Sequence, residues 1–355
     1  MWNDHLRRRN VYILFTLVIG IVLLSGRPGE AQQMKPASAT AIIPPNARLD
    51  TLFTGGMVLT EGVAVAPDGM IYFSDITFTA QAGKDGMEAG HIWRYDPKTG
   101  QTTIFRSPSG MSNGIKFDAQ GRMVVAEGAD FGGRRITRTD MKTGKSYIIA
   151  GLYEGRPLNA PNDITIDEKG RIYFSDPRYL GHETIDQPVM GVYRIDTDGS
   201  IHRIITDAGK PNGVCVSPDQ KTLYVVCNDD GVTDIGRLPQ GTLTAKGRMA
   251  LTAYDLAPDG TAKFRKTLVD YYPESGPDGL VTDAEGNLYV AERSLKRPGI
   301  AVRAPDGKEL GFIPTEVPTN VAFGRGADST TLYITAGKSL YRIKLLKPGY
   351  HLPSR

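Results

Sequence analysis

The chain is short of the residues on which much chemistry and cross-linking depend. Its 355 residues hold only two cysteines, Cys215 and Cys227, and five histidines. A net charge of +3 gives no electrostatic footprint for nucleic acid or an anionic surface. No Gly-x-Ser-x-Gly elbow is present, which argues against a serine esterase. No phosphate-cradling glycine loop is present either; the pairs Gly55-Gly56 and Gly132-Gly133 read as turns. Long amphipathic helical patterns are missing, which removes an α/β fold.

What the chain does have is turn residues, with 41 Gly and 23 Pro. That suits many short strands. The stretch Pro161 to Pro177, PNDITIDEKGRIYFSDP, shows the unit: a polar lead, an alternating strand, a tight turn at Gly170, and a β-branched and aromatic second strand. Copies of it begin at Glu61, Asn113, Asn162, Asn212, Asp278 and Thr319. Weaker hairpins lie between them, such as Ile92 to Phe105 and Val192 to Ile205. Four strands in roughly 40–50 residues make one propeller blade.

The expected fold is therefore all-β: a six-bladed β-propeller of four-stranded blades over residues 47–346. After the last copy only Ser339 to Leu345 remains as a strand. Arg48 to Thr54 is a spare strand that can complete the sixth blade and close the ring. Two packed sandwiches are the alternative. Residues 32–46 read as a Pro/Ala/Ser/Thr-rich linker and 347–355 as a tail.

In a propeller, the first strand of each blade lines the central channel. The ring position is then Glu61, Asn113, Asn162, Asn212, Asp278 and Thr319, all bearing oxygen. Any one of them alone reads as a turn residue before a strand. Six in register, four with proline just ahead (Pro161, Pro211, Pro277, Pro318), read as a site for a hard cation. Carboxylate and amide oxygens suit Ca²⁺. Mg²⁺, Mn²⁺ or Zn²⁺ could stand in its place, Zn²⁺ least readily because no His or Cys is in the ring.

The loops 75–91, 176–190 and about 229–246 leave the inner hairpins and can lid the channel. His182 lies within the second and is a candidate base or substrate contact. Arg178 either contacts the substrate or braces its loop. Cys215 and Cys227 fall on adjacent strands of one hairpin but about 10 Å apart along it, too far for a disulfide; two buried free thiols are expected.

The N-terminus stands apart. Arg7-Arg8-Arg9 precedes an apolar run over residues 11–24, followed by a small-residue region ending at Ala31. This order reads as a cleaved signal over 1–31 or an N-terminal anchor. Either implies export to the periplasm or the medium, and 11–24 would be the membrane contact in the second case. No cysteine lies near the run, which excludes a lipoprotein anchor.

The motifs Glu61-Gly62, Pro161-Asn162-Asp163, Pro211-Asn212-Gly213 and Pro277-Asp278-Gly279, with Tyr173 to Tyr179 (YFSDPRY), carry a resemblance. Over roughly Leu49 to Leu345 the chain resembles the senescence-marker-protein/gluconolactonase (regucalcin-like) family of six-bladed, calcium-dependent lactonases. The resemblance implies a metal-dependent lactone hydrolase acting on a sugar lactone or related small ester. It places metal ligands on Glu61, Asn162, Asn212 and Asp278, with Asp278 also the leading base. Asn113 matches the ring by repeat register and either contacts the metal directly or holds a water or the substrate, and Thr319 is a supporting residue. Two alternatives stay open: an aryl-ester or organophosphate hydrolase on the same site, and a non-enzymatic ligand-binding propeller with structural Ca²⁺.

Overall fold

In a computed structural model the chain is described over residues 42–79, 82, 84–88, 90–234 and 245–353, with a two-residue strand at Gln32–Gln33. The signal or anchor pattern over 1–31 lies outside these residues, as do parts of the loops 75–91 and 229–246. Among the described residues no helix is long and apolar enough to cross a membrane.

Strands form six four-stranded antiparallel sheets in chain order. Blade one is Leu59–Val65, Ile71–Ile76, His91–Asp96 and Gln101–Arg106. Blade two is Ser112–Phe117, Met123–Glu127, Arg135–Thr139 and Ser146–Ala150. Blade three is Ile164–Ile166, Ile172–Asp176, Gly191–Ile195 and Ile201–Ile205. Blade four is Pro211–Val216, Thr222–Asn228, Met249–Leu256 and Ala262–Asp270. Blade five is Leu280–Thr282, Leu288–Glu292, Gly299–Arg303 and Glu309–Pro314. Blade six takes Pro318–Phe323, Thr331–Ala336 and Ser339–Lys344, and its fourth strand is Arg48–Thr54 from the other end of the chain. Gln32–Gln33 pairs outside that strand, so the segment expected as a linker touches blade six.

Alternation along each inner strand explains the packing. Val63 and Val65 face blade six, whereas Ala64 and Ala66 face blade two. The result is six apolar clusters, one at each interface between neighbouring blades. Stability is thus distributed round the ring rather than held in one central core. The inner hairpins share one turn chemistry. Asp118, Asp167 and Asp283 each accept two backbone N–H bonds from residues two and four further on.

Cys215 pairs with Tyr224 across the hairpin, as its register predicts. It packs between blades four and five, while Cys227 packs between blades three and four. The thiols lie on opposite faces of one sheet, are free and buried, and burial pushes both up to about 11.

The tail crosses the hairpin-turn end of the channel. Gly349 N–H donates to Ser329 O of blade six, and Tyr350 N–H to Thr282 O of blade five. The Tyr350 hydroxyl donates to Glu168 of blade three and accepts from Gln220 of blade four. His351 bonds Gly324 O at 2.7 Å, and Leu352 packs against the cluster between blades two and three. The opposite end, where the inner strands begin, is where the chain leaves the second strands after Ile76, Asp176 and Asn228.

Candidate functional site

The ring residues sit where the inner strands are irregular. Pairing in blades one, two, four and six slips just there, between Glu61 and Ala64, Ser112 and Ile115, Pro211 and Val214, and Pro318 and Asn320. Such bulges re-aim side chains. In blades three and five the ladder starts only after the ring residue. Asn162 N–H donates to Ser175 O and Asp278 N–H to Ala291 O, which fixes both positions to the second strand.

Glu61, Asn162, Asn212 and Asp278 are all buried, at 4%, 8%, 4% and 3% exposure. Burial pushes the Glu61 carboxyl well above the usual range, and the nearby Asp278 carboxylate pushes it further. Asp278 is raised as well, by burial first, against the Arg293 guanidinium that pairs with its Oδ2. The Asn212 side chain lies beside Asp278 and the Tyr179 hydroxyl and eases both downward against burial. Its Oδ1 is nonetheless buried without a partner. Two buried carboxylates beside an unpartnered amide oxygen form a set that a hard cation would satisfy. Among the described residues no three or more His, Cys, Asp or Glu come together as a metal cluster. The carboxylates here depend on amide oxygens to complete the set.

Asn162 and Asn113 stand in the ring by backbone register. Asn162 O accepts Gly114 N–H, and Asn113 O accepts the Ser74 hydroxyl. Asn113 is half-buried. Thr319 is fully buried, and its hydroxyl bonds Thr60 O, Thr335 O and the Thr335 hydroxyl, so it ties blade six to blade one.

The loop residues have contacts of their own. Arg178 is buried and donates to the carbonyls of Gly181, Glu183 and Thr184. These are bracing contacts within its own loop. The Glu183 carboxylate accepts Asp130 and Phe131 N–H from the blade-two loop, and Asp130 accepts from Thr79 of the blade-one loop. His182 belongs to this network. Its Nδ1 lies 3.5 Å from Asp130, and its ring lies 3.9 Å from that of Phe131.

Four site residues escaped the sequence reading. Arg293 and Tyr179 reach the ring from loops. Tyr179 donates to Asn228 O, lies under the Lys210 ammonium at 4.8 Å, and is raised by burial and then by Asp278. Asp163 and Asn320 follow ring residues in blades three and six, which face each other across the channel. Asn320 Nδ2 is 3.5 Å from Asp163 Oδ1, while Asp163 Oδ2 accepts Val214 N–H. The other four blades carry glycine at this position. A Cβ on Gly279 would lie 2.4 Å from Asn320 Cγ, and one on Gly114 2.9 Å from Asp163 Oδ1. The glycines vacate the space these two side chains fill. That alternation, Gly62, Gly114, Asp163, Gly213, Gly279, Asn320, was the signal available in the sequence.

The model for the SMP-30/gluconolactonase/LRE-like region matches residues 59–338. The chain belongs to the SMP-30/gluconolactonase/LRE-like family. A gluconolactonase from Zymomonas mobilis is 31% identical over 256 residues, covering 68% of this chain and 64% of that protein. The chain thus spans a little under two thirds of that relative. A lactonohydrolase from Aspergillus oryzae is 28% identical over 338 residues, covering 88% of this chain and 74% of its own. A solved gluconolactonase structure from Xanthomonas campestris is 28% identical, covers 90% of this chain and 99% of its own, and superposes with a TM-score of 0.67. In this member of the SMP-30/gluconolactonase family, every ring residue falls within the matched span.

Proposed function

We propose that the chain is a metal-dependent lactone hydrolase of gluconolactonase type, with calcium as the cation. The observation that carries the proposal is the meeting of Glu61 and Asp278 beside the unpartnered Asn212 Oδ1, at the end of the channel where the loops emerge. The lactonase names of the relatives support the same reaction class.

Glu61, Asn162, Asn212 and Asp278 would hold the cation. When bound, it supplies Lewis-acid polarisation of the lactone carbonyl and stabilises the developing oxyanion. The protein's own groups do the rest. Asp278 Oδ1, the oxygen not paired with Arg293, can accept a proton from the attacking water. Ion binding weakens a carboxylate as a base, so this role needs the testing that His182 needs as the alternative. Tyr179 and the braced loop behind it wall the site and restrict water. Asn113, half-buried in the ring, would orient the lactone ring oxygens. The N-terminal basic and apolar pattern supports an exported enzyme, in the periplasm or the medium, held to a membrane only if residues 11–24 are retained.

The deciding experiment assays metal-stripped protein after reloading with Ca²⁺, Mg²⁺, Mn²⁺ or Zn²⁺. Substrates are aldonolactones, with aryl esters and organophosphate triesters alongside. Metal-dependent acid release from lactones is expected. Full Ca²⁺ occupancy with no lactone opened would point to the binding-propeller alternative and overturn the proposal.

A further inference from the structure

Arg293 is the first residue past the second strand of blade five, Leu288–Glu292. Aligned on the repeat, where Glu292 matches Asp75, Glu127, Asp176, Cys227 and Ala336, the residue that follows is Ile76, Gly128, Pro177, Asn228 and Gly337 in the other blades. Only blade five puts a charge there. The Arg293 guanidinium pairs through Nη1 with Asp278 Oδ2, and it also feels Glu61 and Tyr179. Its side chain is 26% exposed against 4% for Asp278, so the arginine reaches in from the mouth side. The structure therefore fills one oxygen of a candidate ligand with a cation that belongs to the chain.

A guanidinium and a divalent cation cannot share one buried carboxylate without strong repulsion in a site partly shielded from water. Asp278 has two oxygens, but a ligand that also feeds an arginine is a weaker donor. Building on the metal site proposed above, we propose that Arg293 is a built-in competitor for that site. In the metal-free protein it neutralises Asp278 and keeps two adjacent buried carboxylates tolerable. Cation binding displaces it from Asp278 towards the mouth. Arg293 is thus a positioning residue that tunes metal affinity, with no bond-making step assigned to it.

The test is calorimetric titration of Ca²⁺ into the metal-stripped full chain, for wild type, Arg293→Gln and Arg293→Lys. Melting temperature is measured with and without saturating Ca²⁺. Arg293→Gln is expected to bind Ca²⁺ at least tenfold more tightly than wild type. It should melt lower than wild type without metal and gain more on adding it. Arg293→Lys keeps the charge on a more compact, strongly hydrated head, and should fall between the two. Equal or weaker Ca²⁺ binding by a folded Arg293→Gln overturns the proposal while leaving the metal site standing. If Arg293→Gln does not fold without metal, Arg293→Lys decides: affinity equal to or below wild type overturns the proposal. If neither wild type nor variants bind any divalent cation, the metal site itself falls and this inference falls with it.

Discussion

At the scale of single residues, the ring positions differ in how fully the protein itself satisfies their oxygens. Asn212 offers a buried oxygen with no donor, which the proposed cation would satisfy. Asn212→Ala should therefore lower Ca²⁺ affinity at least tenfold and suppress lactone opening, at little loss of metal-free stability. Glu61→Gln should behave differently. It removes a buried carboxylate that burial and then the Asp278 carboxylate raise, so the metal-free protein should be as stable as wild type or more so. Its Ca²⁺ affinity should fall at least tenfold. Calorimetry paired with urea melts checks both variants. Asp278→Ala that retained full activity would sink the site assignment. The second periodic set of acids, Asp75, Glu127, Asp176 and Glu292, has another use. Asp75 accepts Met57 N–H and Asp176 accepts Asn159 and Ala160 N–H, so these two anchor the loops entering their blades, whereas Glu127 and Glu292 bond Arg135, Thr137 and Arg303 of the third strands.

At the scale of elements, neighbouring inner strands approach so closely that side chains must be absent at set points. A Cβ on Gly62 would lie 1.8 Å from Asn113 O, and Gly62 also has φ of +26°. Gly62→Ala should cost at least about 3 kcal/mol in urea denaturation, since it combines a forbidden backbone with a backbone clash. Gly69, with φ of +86° but open space around it, is the control: its alanine variant should lose only about 1 kcal/mol. Similar losses for both would show that blade contact is not what Gly62 provides. The six hairpins and the ring register could be read in advance because both rest on local rules, period two and turn chemistry. The spare strand Arg48–Thr54 was legible because blade six lacked one. Asp163 and Asn320 break the run of glycines after the ring residues, but Asp or Asn at the start of a strand reads as an ordinary turn residue until an opposing blade brings the two together. Arg293 and Tyr179 were hidden for a related reason: loop paths follow tertiary contacts and have no period. The bracing of Arg178 was foreseen only as one of two alternatives, because a guanidinium's partners here are backbone carbonyls that sequence does not mark.

At the scale of the whole molecule, the two ends of the channel are built differently. One end carries the ring and its loops, and the other is crossed by the tail. The tail has no strand ladder of its own, so specific contacts must hold it. Gly349 packs where a Cβ would lie 2.1 Å from Phe323 Cβ, and His351 is fixed to Gly324 O. Burial, then the Arg325 guanidinium, lowers His351 to about 4 from its ordinary 6.5. The folded protein therefore holds this ring neutral, while the unfolded chain takes up a proton below about pH 6.5. The stabilising effect of a neutral His351 is complete above pH 6.5 and is lost as pH falls towards 4, at most about 3 kcal/mol in all. His351→Gln keeps an amide N–H able to reach Gly324 O but cannot be protonated in this range. Wild type should thus lose more stability than His351→Gln between pH 7 and pH 4.5, and urea midpoints at the two pH values measure the difference. Parallel losses in the two proteins would show that the tail is not held by a neutral histidine. A larger loss in wild type, with the ring-end Ca²⁺ affinity unchanged at pH 7, would show that the tail secures the fold independently of the site at the other mouth.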